Sequence, residues 1–244
     1  MSGHSHARTI RHAKNITDQK RGQIFSKMAR VISVAVKEGG TNPETNSQLR
    51  IAIETARGFN MPSENIERAI KRASGEIPGE KLEEVFYEAY GPGRIAIIIE
   101  GITDNKNRAL SEVKQILNQN GGKLVGEGSV KWMFERKGCL IVDRKLQIED
   151  LKNKEKLELM AIEAGAEDID WRDDVLEVYT KVEDLENVKR NLEKQGIKID
   201  SSSLDWVAKE EIKVSEKNKI AAQKLFEALD ESEEVQEIYS NLKM

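Results

Sequence analysis

The feature that most constrains how this chain can fold is the order of its patterns between residues 139 and 206. Short apolar and β-branched runs at 139–143, 167–171, 175–180 and 197–206 alternate with helical spacing at 149–165 and 182–195, and Arg172-Asp173-Asp174 marks a turn between the second and third runs. The order is βαββαβ, the split βαβ or ferredoxin-like arrangement. Upstream, 85–90 and 94–101 read as strands joined at Gly91-Pro92-Gly93 and 105–120 as a helix, and a glycine-rich stretch at 121–128 leads into a strand at 129–135. That earlier unit lacks a last helix and strand. The end of the chain supplies a matching pair at 215–229 and 234–240, so the second unit is expected to be inserted into the first.

The texture before residue 76 is different. Ile24, Met28, Val31, Ile32 and Ala35 recur at helical spacing, as do Leu49, Ala52, Ile53 and Ala56 before Gly58, and Ile66, Ala69, Ile70 and Ala73 after Pro62-Ser63. Gly75, Pro78 and Gly79 then break the pattern. The expected class is α+β: a three-helix N-terminal domain followed by two ferredoxin-like α+β domains, the second inserted into the first. The expected boundaries are 1–76 for a basic arm plus helices, 77–135 with 208–244 for a discontinuous domain, and 136–207 for the insert.

Charge is segregated along this plan. Thirteen Lys and Arg against six Asp and Glu give residues 1–75 a net +7, and the overall −4 leaves −11 for the rest. His4, His6 and His12 also fall in the first twelve residues, and no acid precedes Asp18. A cationic end on an anionic body is the footprint of polyanion binding, although a solvated basic face or a mitochondrial transit segment has the same composition. Lys20, Lys27, Arg30 and Lys37 fall in one arc of the first helix, beside its apolar face. The acidic end, with no Lys or Arg between Leu225 and Leu242, reads as an exposed helix and edge able to keep nucleic acid off that face.

Other chemistries find little support in the 244 residues. A single cysteine, Cys139, excludes an intrachain disulfide framework or a multi-cysteine zinc site, and as the start of an apolar strand it reads as buried packing. The longest aliphatic run, Ile95 to Ile99, is far too short to span a bilayer, and no apolar signal segment follows Met1, so a cytoplasmic protein without membrane partners is expected. P-loop, zincin, nucleophile-elbow and C-x-x-C signatures are absent. Gly126-Glu127-Gly128 reads as a turn at a strand entry and Asp173-Asp174 as a solvated turn. His4-x-His6 has no neighbouring carboxylate to complete a metal site, and its imidazoles suit phosphate or base contacts better. Trp132, Trp171 and Trp206 fall on expected strands, where packing is the ordinary role.

The runs Gly3-His4-Ser5-His6, Arg11-His12-Ala13-Lys14, Lys20-Arg21-Gly22 and Ile24-Phe25-Ser26-Lys27 together resemble the opening of the YebC/PmpR family. The likeness continues in order through Asn60-Met61-Pro62, Asn65 to Lys71, Tyr87 to Gly93, Thr103 to Arg108 and Phe134 to Gly138, covering nearly the whole chain. The resemblance implies a helical domain and two nested α+β domains. It also implies a DNA-binding transcriptional regulator or, as for mitochondrial relatives, a translation factor that acts on ribosomes stalled at polyproline stretches. Ala7 stands where the family typically carries Trp, and Arg94 where a second Gly is common.

The function expected from charge and resemblance together is a non-enzymatic nucleic-acid-binding regulator with no catalytic residues, metal or cofactor. His4, Ser5, His6, Arg8, Arg11, His12, Lys14, Lys20, Arg21, Lys27 and Arg30 are the expected contacts: cations on phosphates, Ser5 and the histidines adding local hydrogen bonds. The partner is DNA, ribosomal RNA or both; the alternative is a ribosome-associated factor that relieves stalling. The chain is expected to act as a monomer.

Overall fold

Asn46 sets the geometry of the first helical pair. Its Oδ1 accepts from the Leu49 amide at 3.0 Å and caps α2 (Ser47–Gly58), while its Nδ2 donates to the Ala35 and Gly40 carbonyls at 2.7 and 2.8 Å, closing the end of α1 (Asp18–Gly39). A Cβ on Gly39 would lie 2.6 Å from the Asn46 side chain, so glycine is what lets the cap approach. Pro62 precedes α3 (Ser63–Ser74), and Gly75, at φ 85°, ends it. Ile32, Ala35, Val36, Leu49, Ala52, Ile53, Ala56, Met61, Ile66 and Ala69 form one buried cluster from the apolar stripes of all three helices. The structure, a computed structural model, describes residues 18–79 and 81–243.

Two compact units divide the chain after Glu135 and after Trp206. In the unit that holds the N-terminal helices, β1 (Glu83–Tyr90) and β2 (Ala96–Thr103) form a central hairpin, β3 (Lys123–Val125) pairs with β1, and the C-terminal strand β8 (Val235–Ser240) pairs with β2, all antiparallel. Helices α4 (Lys106–Gln119) and α7 (Glu216–Asp230) bring Val113, Leu117, Ala222, Leu225, Phe226 and Leu229 against Ile95, Ile97 and Ile99. Ile97, Ile98 and Ile99 are all fully buried, which explains the unbroken apolar run: this strand is covered on both faces. A β-bulge at Glu100 and Gly101 lets the Glu234 carbonyl come in to accept from the Ile102 amide at 3.0 Å. A Cβ on Gly101 would stand 2.4 Å from that carbonyl oxygen, so the close approach requires glycine.

The other unit has the order β4 (Phe134–Asp143), α5 (Lys154–Ala164), β5 (Asp168–Arg172), β6 (Val175–Thr180), α6 (Leu185–Lys194), β7 (Ser201–Ala208). Its sheet runs β5-β6-β4-β7, the strand order of a ferredoxin-like fold. Cys139 to Val142 of β4, Leu176 and Val178 of β6, Leu157 and Ala161 of α5 and Val188 and Leu192 of α6 are buried. Asp173, at φ 54°, makes the expected turn between β5 and β6. The fold is therefore α+β, three N-terminal helices and two four-stranded sheets with helices, the second nested in the chain of the first. The sheets differ in one connection: the central strands of the first are joined directly as a hairpin, those of the second through α5 and β5. No helix among the described residues is long and apolar enough to cross a membrane.

The strand expected at 129–135 does not form. The Glu88 carboxylate, only 2% exposed as a residue, accepts from the Gly128, Val130 and Lys131 amides at 2.6, 2.6 and 2.8 Å, so this backbone bonds to a side chain instead of a ladder. Burial acts to raise the Glu88 carboxyl, but those three donors outweigh it and hold it below the usual carboxylate range. Residues 131–133 form a 3₁₀ turn, the edge strand is the shorter β3, and β4 starts at Phe134 and runs through Cys139. Trp132 consequently does not pack in a strand: it is 64% exposed, its indole N–H donating to the Ser129 carbonyl at 3.0 Å.

Candidate nucleic-acid interface

Of the expected contacts, His4, Ser5, His6, Arg8, Arg11, His12 and Lys14 lie outside the described residues. Lys20 and Arg21 lie in the first turn of α1 and are exposed. Lys27 and Arg30, about two and nearly three turns further on, are not available to phosphate in the way their spacing suggested.

Lys27 is 8% exposed. Its Nζ donates to the backbone carbonyl of Asp230 at 2.6 Å and to Asp230 Oδ1 at 3.1 Å, so the ammonium sits on the C-terminal end of α7, where orphan carbonyls and the helix dipole favour a cation. Arg30 donates from Nη1 to the Ile102 carbonyl at 2.9 Å and lies 3.5 Å from carboxylate oxygens of both Glu233 and Glu234. The β-bulge that brings the Glu234 backbone onto Ile102 is what places both acceptors within reach of one guanidinium. Glu234, with its side chain 6% exposed, also accepts from Arg108, which reaches Asp104 as well; Glu234 and then Asp104 hold that guanidinium more firmly protonated than usual.

This corrects two expectations at once. Lys27 and Arg30 tie the helical domain to the sheet beneath it, and the acidic end is not simply an exposed face: Asp230 and Glu234 are their counter-charges. A buried cation leaves water only when its hydrogen bonds are replaced, and here carbonyls and carboxylates replace them.

The cations left exposed on the N-terminal helices include a set that was not singled out from sequence. Arg68, Lys71 and Arg72 are exposed on α3, with Arg68 and Arg72 one turn apart on the same face. Together with Ser26 and Ala29 of α1, Asn65 and the linker at Pro78 and Gly79, these two arginines line a cleft of about 760 Å³. The spacing of Arg68 and Arg72 was the available signal; it was counted in the charge excess but not placed on a face.

A basic three-helix domain followed by two four-stranded α+β sheets, the second, ferredoxin-like one inserted in the chain of the first, defines a particular class of multidomain α+β protein. Residues 5–76 match the TACO1/YebC protein N-terminal domain and residues 82–242 the TACO1/YebC second and third domain. The chain belongs to the TACO1/YebC family, as the opening motifs implied. It is 46% identical over 99% of its length to a "probable transcriptional regulatory protein" of Halothermothrix orenii, covering 94% of that protein. It is 45% identical over 100% of its length to another so named from Caldanaerobacter subterraneus, covering 99% of it. Its fold is similar to the crystal structure of a conserved hypothetical protein from Aquifex aeolicus, with a TM-score of 0.87, 43% identity and coverage of 96% of this chain and 95% of that one.

Proposed function

We propose that this protein is a non-enzymatic regulator of gene expression that binds nucleic acid through its N-terminal arm and the exposed face of its helical domain. One observation carries the reading: residues 1–75 hold a net +7, and on the described helices part of that basic excess stays exposed. Lys27 and Arg30 are taken up by the acidic end, yet Lys20, Arg21, Arg68, Lys71 and Arg72 stay exposed, and Arg8, Arg11 and Lys14 lie in a stretch with no acid before Asp18. Cations held at a surface in this density neutralise phosphates and release counterions, which drives binding to either DNA or RNA. The names of the relatives, regulators of transcription, agree with this class.

Fluorescence anisotropy of the full chain with labelled duplex DNA and a structured RNA tests it. Alanine at Arg8, Arg11, Lys14, Lys20 and Arg21 together is expected to weaken binding to both polymers by at least about tenfold, since each neutralised phosphate contributes a counterion-release step. Unchanged affinity in that variant, or no binding by the wild-type chain to either polymer, would refute the reading.

A further inference from the structure

The cleft along α1 and α3 combines two surfaces that rarely serve the same simple partner. Its mouth carries Arg68 and Arg72, both exposed and neither engaged in a hydrogen bond or ion pair among the described residues. The carboxylate lining it, Glu233, already lies 3.5 Å from the Arg30 guanidinium, so the free charge at the opening is positive. Its lining also carries apolar side chains, half-buried Phe25 and Met61, 6% exposed. Asn65 also lines the cleft, with an amide able both to donate and to accept.

Charge decides what fits. The chain's own arm, with Arg8, Arg11, Lys14 and three histidines and no acid before Asp18, carries the same sign as the cleft mouth and is repelled by it. The complementary occupant is anionic and carries a flat, largely apolar body beside its charge. A nucleotide has that form, but within a duplex its base is stacked and paired and its faces are out of reach; only an unpaired nucleotide can offer phosphate and base face together.

We propose that this cleft receives one unpaired nucleotide of a single-stranded nucleic acid, with its phosphate on Arg68 and Arg72, its base laid over Phe25 and Met61, and its edge met by Asn65. The proposal rests on the nucleic-acid reading above and adds to it a preference for single strands. Two guanidiniums one helical turn apart offer paired N–H donors to phosphate oxygens, and base stacking on an aromatic ring is tolerant of sequence, so little base specificity is expected.

The test compares short oligouridylate, oligothymidylate and a short DNA duplex as labelled probes on the full chain. Arg68→Glu with Arg72→Glu, both at exposed positions, is expected to leave the melting transition in place. It should weaken both single strands by about tenfold or more, with a log–log salt slope shallower by about 1.4, and weaken the duplex too, through the lost surface charge, but by a clearly smaller factor than either single strand. Asn65→Asp, which adds a negative charge without removing apolar contact, should act in the same direction. Oligouridylate carrying 4-thiouridine should crosslink to the segment 22–27 that contains Phe25. A loss confined to one of the two single strands supports the cleft and assigns the polymer. Duplex binding with single-strand affinity unmoved by either variant, or crosslinks only outside the cleft, overturns this proposal alone. Absence of binding to any of the three probes overturns the nucleic-acid reading and this proposal with it.

Discussion

Lys27 offers the sharpest separation between a cation that holds the fold and one that holds a ligand. Lys27→Met keeps the length and apolar stem of the side chain but removes the ammonium that lies 2.6 Å from the Asp230 carbonyl and 3.1 Å from its carboxylate. The Lys27 and Asp230 side chains are only 10% and 22% exposed, so solvent screens the pair less than it would at a surface. A hydrogen bond from a charged donor contributes about 1.5–3 kcal/mol, and removing it strands a partly buried carboxylate beside the end of α7. The expected loss is about 2–3 kcal/mol, a fall in melting temperature of about 4–12 °C for a chain of this size. Asp230→Asn in the Lys27→Met background should recover part of it, because the stranded charge is gone. Calorimetry supplies the stability, and duplex anisotropy at a temperature where both proteins are folded supplies the affinity, expected to change less than about twofold. Unaltered stability with a large loss of affinity would refute the reasoning and return Lys27 to the phosphate-binding set.

Glu88→Gln should destabilise the protein by about 2–3 kcal/mol at neutral pH, since an amide cannot accept from all three backbone donors of the 128–131 loop. Because the folded carboxyl lies below its ordinary value of 4.5, the wild-type advantage is complete above that pH and is lost as pH falls through the folded value; denaturation across pH 3–7 should show the two proteins converging at the acid end. Gly101→Ala places a methyl 2.4 Å from the Glu234 carbonyl oxygen, and chemical denaturation should report a loss of about 1–3 kcal/mol as the bulge is forced to shift. Excising residues 136–206 and joining Glu135 to Val207 through a short Gly/Ser linker should leave a remainder that unfolds cooperatively in calorimetry; a broad, non-cooperative transition would count against independent cores.

The helical stripes were legible because each packs on residues near it in sequence: Ile32, Leu49 and Ile66 meet within one small domain. The βαββαβ order of the second sheet was legible for the same reason. What sequence periodicity does not carry is the identity of a distant neighbour. The arc of Lys20, Lys27, Arg30 and Lys37 looks like one cationic face, but the carboxylates that cover its middle lie some two hundred positions away, brought there by β8 pairing with β2. The same blindness applied to Glu88, one acid among several in β1, whose carboxylate replaces a strand that alternation alone proposed. Trp132 read as core because aromatic residues in apolar runs usually are; a buried carboxylate shaping the loop before it leaves the ring outside.

The central claim is that the basic N-terminal segment binds phosphate through its exposed cations, and the salt dependence of binding by the full wild-type chain tests it most directly. Anisotropy with duplex DNA over a range of salt concentrations should give a straight log–log plot, with a slope of about −5 if six phosphates are neutralised. A slope near zero, or no binding even at the lowest salt, would contradict the account.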